Sequence, residues 1–227
     1  MRKRSRKSYE EIKNTVLTKC LNKWEKIYKK YFNKSIDASC YHTSYAFSEA
    51  INSLNIIPKT QVIPVHLLIA NAAFFKDDAI EKIQQMKKVG REKYLKNLDN
   101  PYTISVGNPN ISDNDIIKTT GGRILPKNER MNAHFVIVIP KNKEIIDLTI
   151  GNIERPERGI YCKNHWSKWD FLKKTNSGHK AFMGEDLIRN SIAWYEIIEG
   201  KMSIGIDIKS LNKATNELKD YFKIIFK

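Results

Sequence analysis

Residues 133–150 constrain the fold more than any other stretch. They read Ala-His-Phe-Val-Ile-Val-Ile, then Pro140-Lys-Asn142, then Lys-Glu-Ile-Ile-Asp-Leu-Thr-Ile. Two runs this short, rich in β-branched residues and parted by a polar turn, predict two antiparallel strands, 133–139 and 143–150, joined as a hairpin. A turn centred near Lys141 and Asn142 sets position 134 opposite a residue around 149, which makes 147 its diagonal neighbour and within side-chain reach. His134 opens the first run, and Asp147 sits in the apolar context Ile145-Ile146-Asp147-Leu148. A carboxylate in such a strand requires a partner, because burying it alone is costly.

A sheet of this kind needs a second layer, and the N-terminal segments supply helices to form it. Ser8 and Glu11 make a capping-box pattern at the mouth of a stripe formed by Tyr9, Ile12, Val16, Cys20, Trp24, Ile27, Tyr28 and Tyr31. That spacing predicts one amphipathic helix to about Phe32, with Cys20 as a small hydrophobe on its buried side. After a polar connection, 33–39, with Asp37 and Ser39 as candidate caps, a second helix begins at Cys40. Its periodic residues are Tyr41, Tyr45, Ala46, Ala50, Ile51 and Leu54, and it ends at Asn55 ahead of Pro58. The apolar run 61–75 predicts a central strand over 65–70. The charged segment 77–100 reads as one or two helices, 102–106 as a short strand, and 214–226 as a closing helix. Residues 191–199 and 202–208 read as a hairpin about Gly200-Lys201. Between them, 151–184 has no sustained period and is expected to be an insertion or extended loop covering the site. The expectation is a single α+β domain over residues 8–227, preceded by a basic arm, 1–7. A length of 227 residues suffices for one core of that size.

The net charge is +15, and five of the first seven residues are Arg or Lys. That balance suits an anionic partner for the arm, so a nucleic-acid-binding module is the competing class of function. Lysine is nevertheless spread along the whole chain, and no helix-turn-helix, finger or RNA-binding signature accompanies it. No apolar run reaches the ~20 residues of a membrane span. The basic start is not followed by an apolar signal region, and three cysteines cannot all pair, so a reducing, cytoplasmic setting is expected. Gly121-Gly122 lacks the Lys-Ser/Thr ending of a phosphate loop. Cys162-x-x-His165 with the distant His179 is irregular for zinc. No metal or cofactor is therefore expected.

Of the three thiols, Cys40 has the position that makes chemistry. It stands on the first turn of its helix, where unpaired amide N–H groups and the positive end of the dipole stabilise a thiolate. A thiolate nucleophile also needs an imidazole to hold and shuttle the proton and a group to orient that imidazole. His134 and Asp147 fill those positions on the hairpin. In this order, Cys40 at a helix start, His134 in Asn-Ala-His-Phe-Val-Ile-Val and Asp147 in Ile-Ile-Asp-Leu-Thr, the chain resembles the papain-like superfamily in its transglutaminase and arylamine N-acetyltransferase branch. The resemblance spans roughly residues 35–150. It implies a papain-like or transglutaminase-like α+β fold with the nucleophile helix packed on an antiparallel sheet. It implies Cys40 as nucleophile, His134 as general acid and base, and Asp147 as orienting group. The implied chemistry is acyl transfer through a thioester, on a protein or peptide amide in a protease, deamidase or transglutaminase, or on a small amine in an N-acyltransferase. The backbone N–H of Cys40 is one candidate oxyanion donor.

Overall fold

The computed structural model describes residues 7–33, 39–71, 103–106, 133–168, 170–172, 181–188, 191–197 and 207–226. The readings made for the arm at 1–6, for Asp37, for 77–100, for Gly121-Gly122 and for His179 lie outside these residues.

The N-terminal stripe forms α1 (Tyr9–Thr15) and α2 (Leu21–Phe32), joined without a break by a π-helical turn over Val16–Cys20. The capping box predicted at Ser8 and Glu11 is present with both of its hydrogen bonds. The inserted π turn is the correction to a single regular helix. From Ile12 the stripe advances by four residues three times running, to Val16, Cys20 and Trp24, which outruns the 3.6 residues of an α-helical turn, and one wide turn keeps Val16 and Cys20 on the buried side, where both are fully enclosed. Asn33 closes α2 in the left-handed conformation.

Helix α3 (Cys40–Leu54) has the predicted limits and ends at left-handed Asn55. Its buried residues, Thr43, Ser44, Ala46, Phe47, Ser48, Ala50 and Ile51, cover rather more than half of its circumference. This is a central helix rather than an amphipathic surface one. Phe47 and Ile51 enter an apolar cluster with Trp24 and Ile27 of α2 and with Leu218 and Phe222 of α4 (Ile208–Phe226). Its other face is small and polar. Ser44 donates to the Phe135 carbonyl at 2.9 Å, while Ser48 and Asn52 hydrogen bond Thr60, directly before the sheet. Helix α4 starts ahead of the predicted 214, with Asp207 accepting from both the backbone and the hydroxyl of Ser210.

The strands are β1 (Gln61–Asn71), β2 (Thr103–Val106), β3 (His134–Ile139), β4 (Glu144–Asp147), β5 (His165–Lys168), β6 (Asp170–Leu172), β7 (Ala181–Ile188) and β8 (Ser191–Ile197). They form one sheet in the order β5-β4-β3-β1-β8-β7-β6, and every pair is antiparallel. The central strand is longer than predicted because its two halves have different partners on one edge. Residues 61–65 pair with β3, and 67–70 pair with β2. Pro64 falls where the opposite edge is still open, since β8 begins its register at Val65, and there a residue without an N–H is tolerated.

Two further expectations are corrected. Among the described residues, the stretch 151–184 is irregular only to 164 and then supplies β5, β6 and the first residues of β7. Strands of three or four residues carry too little alternation to be read against a background of aromatics and lysines. The run from Ser191 pairs with β7 and β1, and Ile208, read as the end of the second hairpin strand, opens α4 instead; residues 198–206 of that hairpin lie outside those described. Strand β4 is also shorter than predicted, because Ile150 begins a 3₁₀ turn, Ile150–Ile153.

The two faces of the sheet bury different clusters. Ile137, Ile139, Ile146, Leu148 and Trp166 pack against the helices. On the other face Val65, Leu67, Ile69, Val136, Val138, Ile145, Ala193 and Tyr195 gather with Ile150 and Ile160. This second cluster has no α-helix over it among the described residues, and on this face the sheet curls. Tyr195 on β8 touches Asp147 on β4, three strands away. At about 4.8 Å per strand a flat sheet would set them about 14 Å apart, beyond a tyrosine's reach. Strong coiling, which also draws β5 toward β7, closes that gap.

Candidate active site

The hairpin behaves as its sequence predicts. Pro140–Asn142 forms a 3₁₀ turn, Lys143 takes the left-handed conformation that completes it, and the register pairs Ile137 with Ile146 and Ile139 with Glu144. Continued by three residues, that register sets His134 opposite Thr149, with Asp147 two residues away on the same face. The two side chains meet at 2.7 Å, His134 Nε2 to Asp147 Oδ2. His134 is 2% exposed and Asp147 is completely buried, so the pair is shielded from water.

Cys40 arrives from the other layer. Helix α3 lies along β3 with its N-terminus at the strand's first residue, held by Ser44 on the Phe135 carbonyl and by the edge-to-face contact of Tyr41 with Phe135. A second anchor lies one turn back, where the Trp24 indole N–H donates to the Thr43 hydroxyl, itself hydrogen-bonded to Ser39. The half-buried Cys40 sulfur rests 4.0 Å from the Ala133 carbonyl oxygen, at the long end for a thiol. It is also near enough to the His134 side chain to raise its pKa. Asp147 occupies Nε2, which leaves Nδ1 as the nitrogen available to the thiol. The structure therefore brings the three residues singled out in the sequence together, on elements from both layers.

The electrostatics follow from this geometry. Burial opposes a charge on His134, but the Asp147 carboxylate and the hydrogen bonds to Asp147 and Cys40 more than offset it and raise the imidazolium's pKa to about 10. Asp147 is desolvated as well, yet His134 and the Thr149 backbone N–H hold it below the ordinary carboxylate range. At neutral pH the hairpin thus carries a buried imidazolium and carboxylate, with the imidazolium beside a thiol at a helix N-terminus. Burial pushes the other two thiols, Cys20 and Cys162, up to about 12, so they stay protonated.

Asp147 is held from all sides. Its Oδ1 accepts from the backbone N–H groups of Thr149 and Ile150 at 3.1 and 3.0 Å, and its Oδ2 accepts from Tyr195 as well as from His134. The early end of β4 has its reason here: the chain turns into 3₁₀ so that two amides point at this carboxylate. Behind it, the Tyr195 hydroxyl meets His165 Nε2 at 2.9 Å, and His165 Nδ1 meets the Ser167 hydroxyl at 3.2 Å. His165 stands directly opposite Asp147 in the β4 to β5 register. Both of its nitrogens are engaged in this network. Among the described residues no three His, Cys, Asp or Glu side chains are grouped to hold a metal.

Tyr195 and Ser167 had no place in the sequence reading, and His165 entered it only as a weak zinc candidate beside Cys162. The one available signal was a histidine in a short run after Cys162. Tyr195 carries no local signal at all, because only the curl of the sheet brings β8 to β4. No helix among the described residues is long and apolar enough to cross a membrane. No family model, curated protein or solved structure matches this chain.

Proposed function

We propose that the protein is a cysteine-dependent acyl-transfer enzyme with a papain-like arrangement of the transglutaminase or arylamine N-acetyltransferase kind. The single observation that carries this reading is the alignment of a half-buried thiol at a helix N-terminus with a buried His134, whose far nitrogen is bonded to Asp147 at 2.7 Å. A structural histidine would not need a thiol on one nitrogen and a fully enclosed carboxylate on the other.

The chemistry runs in two halves. The Cys40 thiolate attacks the carbonyl carbon of an amide, a C–S bond forms, and the carbonyl oxygen takes the negative charge, with the backbone N–H of Cys40 as one donor to it. The C–N bond then breaks as His134 gives its Nδ1 proton to the leaving amine, and a thioester remains on Cys40. Water or an amine attacks the thioester and loses its proton to the now neutral His134. The C–S bond breaks and the thiolate and imidazolium are restored. Asp147 keeps the ring in the tautomer and orientation that both halves require. Protein or peptide amides are the proposed substrates.

Acid-quenched mass spectrometry on protein mixed with a peptide digest tests the reading. An acyl adduct on the Cys40 peptide is expected, together with released amine or ammonia, and both disappear in Cys40→Ser. Added methylamine that enters the product marks a transferase, and its exclusion marks a hydrolase. Equal iodoacetamide labelling of all three cysteines at pH 6, with no adduct, would overturn the reading.

A further inference from the structure

Behind the Cys40, His134 and Asp147 row lies a second set of buried polar groups that the acyl-transfer steps do not use. The Tyr195 hydroxyl is 3.2 Å from Asp147 Oδ2 and 2.9 Å from His165 Nε2, and His165 Nδ1 is 3.2 Å from Ser167 Oγ. The number of protons fixes the direction of each bond. Ionised Asp147 has none to give, so Tyr195 donates to it, and the phenol oxygen must then accept from His165 Nε2–H. His165 Nδ1 is left as an acceptor, which the Ser167 hydroxyl fills. In the other tautomer a lone pair on Nε2 would compete for the Tyr195 proton and draw it away from Asp147. His165 stays neutral because burial pushes it down to about 4, with Asp147 raising it and His134 lowering it further.

The carboxylate has about four lone-pair sites. Two backbone amides, His134 and Tyr195 fill them. Three of these donors come from the hairpin and the turn that follows it. Tyr195 alone comes from across the curled sheet.

We infer that Tyr195 is a positioning residue, directed by His165 and Ser167: its hydroxyl fixes the Asp147 carboxylate against His134 so that the opposite ring nitrogen stays on Cys40. The inference rests on the Cys40, His134 and Asp147 reading above. Among the described residues the titratable groups facing Asp147 are His134 on β3, His165 on β5, Tyr195 on β8 and Cys162 in the segment before β5.

The test needs no substrate: the rate of Cys40 alkylation by iodoacetamide, read by peptide mass spectrometry across pH 4 to 9. Tyr195→Phe keeps the ring and removes only the hydroxyl. A carboxylate that loses a donor to its charged form takes a proton at higher pH, so its hold on the imidazolium fails sooner as pH falls. The expected result is an acid limb moved up by about half a pH unit or more, with a rate lower by roughly threefold on that limb and the circular dichroism of the wild type. A residue that merely packs would alter stability and leave the limb in place. An unmoved limb in folded Tyr195→Phe overturns the inference. Asp147→Asn separates the two failures. If it too leaves the profile unchanged, the three-residue reading fails; if it moves the profile and Tyr195→Phe does not, only the positioning role fails. Should Tyr195→Phe not fold, half-buried Ser167→Ala decides. It frees the tautomer and moves the limb in the same direction, and an unmoved limb again overturns the inference.

Discussion

At the scale of single residues, the site is built by desolvation that is answered in full at each atom. His134 and Asp147 are both inside the protein, where either charge alone would be expelled, and each makes the other's charge tolerable. Removing one partner should therefore cost more than the pair is worth. His134→Ala leaves the carboxylate buried with Tyr195 and two amides, and a loss of about 3 kcal/mol is expected in urea denaturation at pH 7. Asp147→Asn has a different signature. The amide oxygen can still accept from Thr149 and Ile150, but the imidazolium loses its counter-charge. Alkylation of Cys40 by iodoacetamide at pH 6 should fall by at least about tenfold while the fold persists. Cys20 and Cys162 should remain the slow thiols throughout, since both are held protonated by burial.

At the scale of elements, two helices are tied to the sheet by buried polar groups where an apolar seam would have sufficed. Glu144, the first residue of β4, is enclosed and receives hydrogen bonds from Tyr9 of α1, from Asn142 at 3.3 Å and from the Trp166 indole of β5 at 3.2 Å, with Lys13 Nζ at 3.1 Å. Burial alone would raise this carboxyl, and those donors hold it below its ordinary range. Glu144→Gln should loosen α1 and lower stability by about 2 to 4 kcal/mol, with hydrogen exchange accelerating first in residues 9–15. Ser8→Ala, which removes only the cap, should cost about 1 kcal/mol and stay local. Helix α3 is attached by Ser44, Ser48 and Asn52, one turn apart, and this small polar row lets its backbone lie close to β3 with Cys40 at the strand's first residue. The row was legible as helical spacing but not as a contact face, because serine and asparagine at such intervals look like solvent-facing residues until a sheet is placed against them.

At the scale of the whole molecule, the buried histidines give stability a pH dependence with two opposite slopes. His134 has its folded value raised to about 10, so its contribution is complete below the unfolded value near 6.5 and is lost as pH rises through 10. Asp147 is lowered, so its contribution is present above its unfolded value near 3.8 and fails as pH falls through the folded one. His165 is lowered to about 4, so the unfolded chain takes up a proton there that the folded chain refuses, and stability declines as pH falls from about 6.5 to 4. Each such proton contributes a slope of up to about 1.4 kcal/mol per pH unit. His165→Gln should flatten the acid-side decline in denaturation curves between pH 6.5 and 4 and leave the alkaline decline intact. What the sequence by itself determined was local: the capping box at Ser8, the limits of α3, the hairpin around Pro140–Asn142, and through the pleat the adjacency of His134 and Asp147. These depend on periodicities of two and 3.6 residues and on turn chemistry, all carried by neighbours in the chain. Only the tertiary structure decided that 165–168 and 170–172 join the sheet, that α3 sets a small polar row against it, and that Tyr195 reaches Asp147. Those outcomes depend on the coiling of one large sheet and on what packs against it, a free-energy balance summed over many strands that no single segment records.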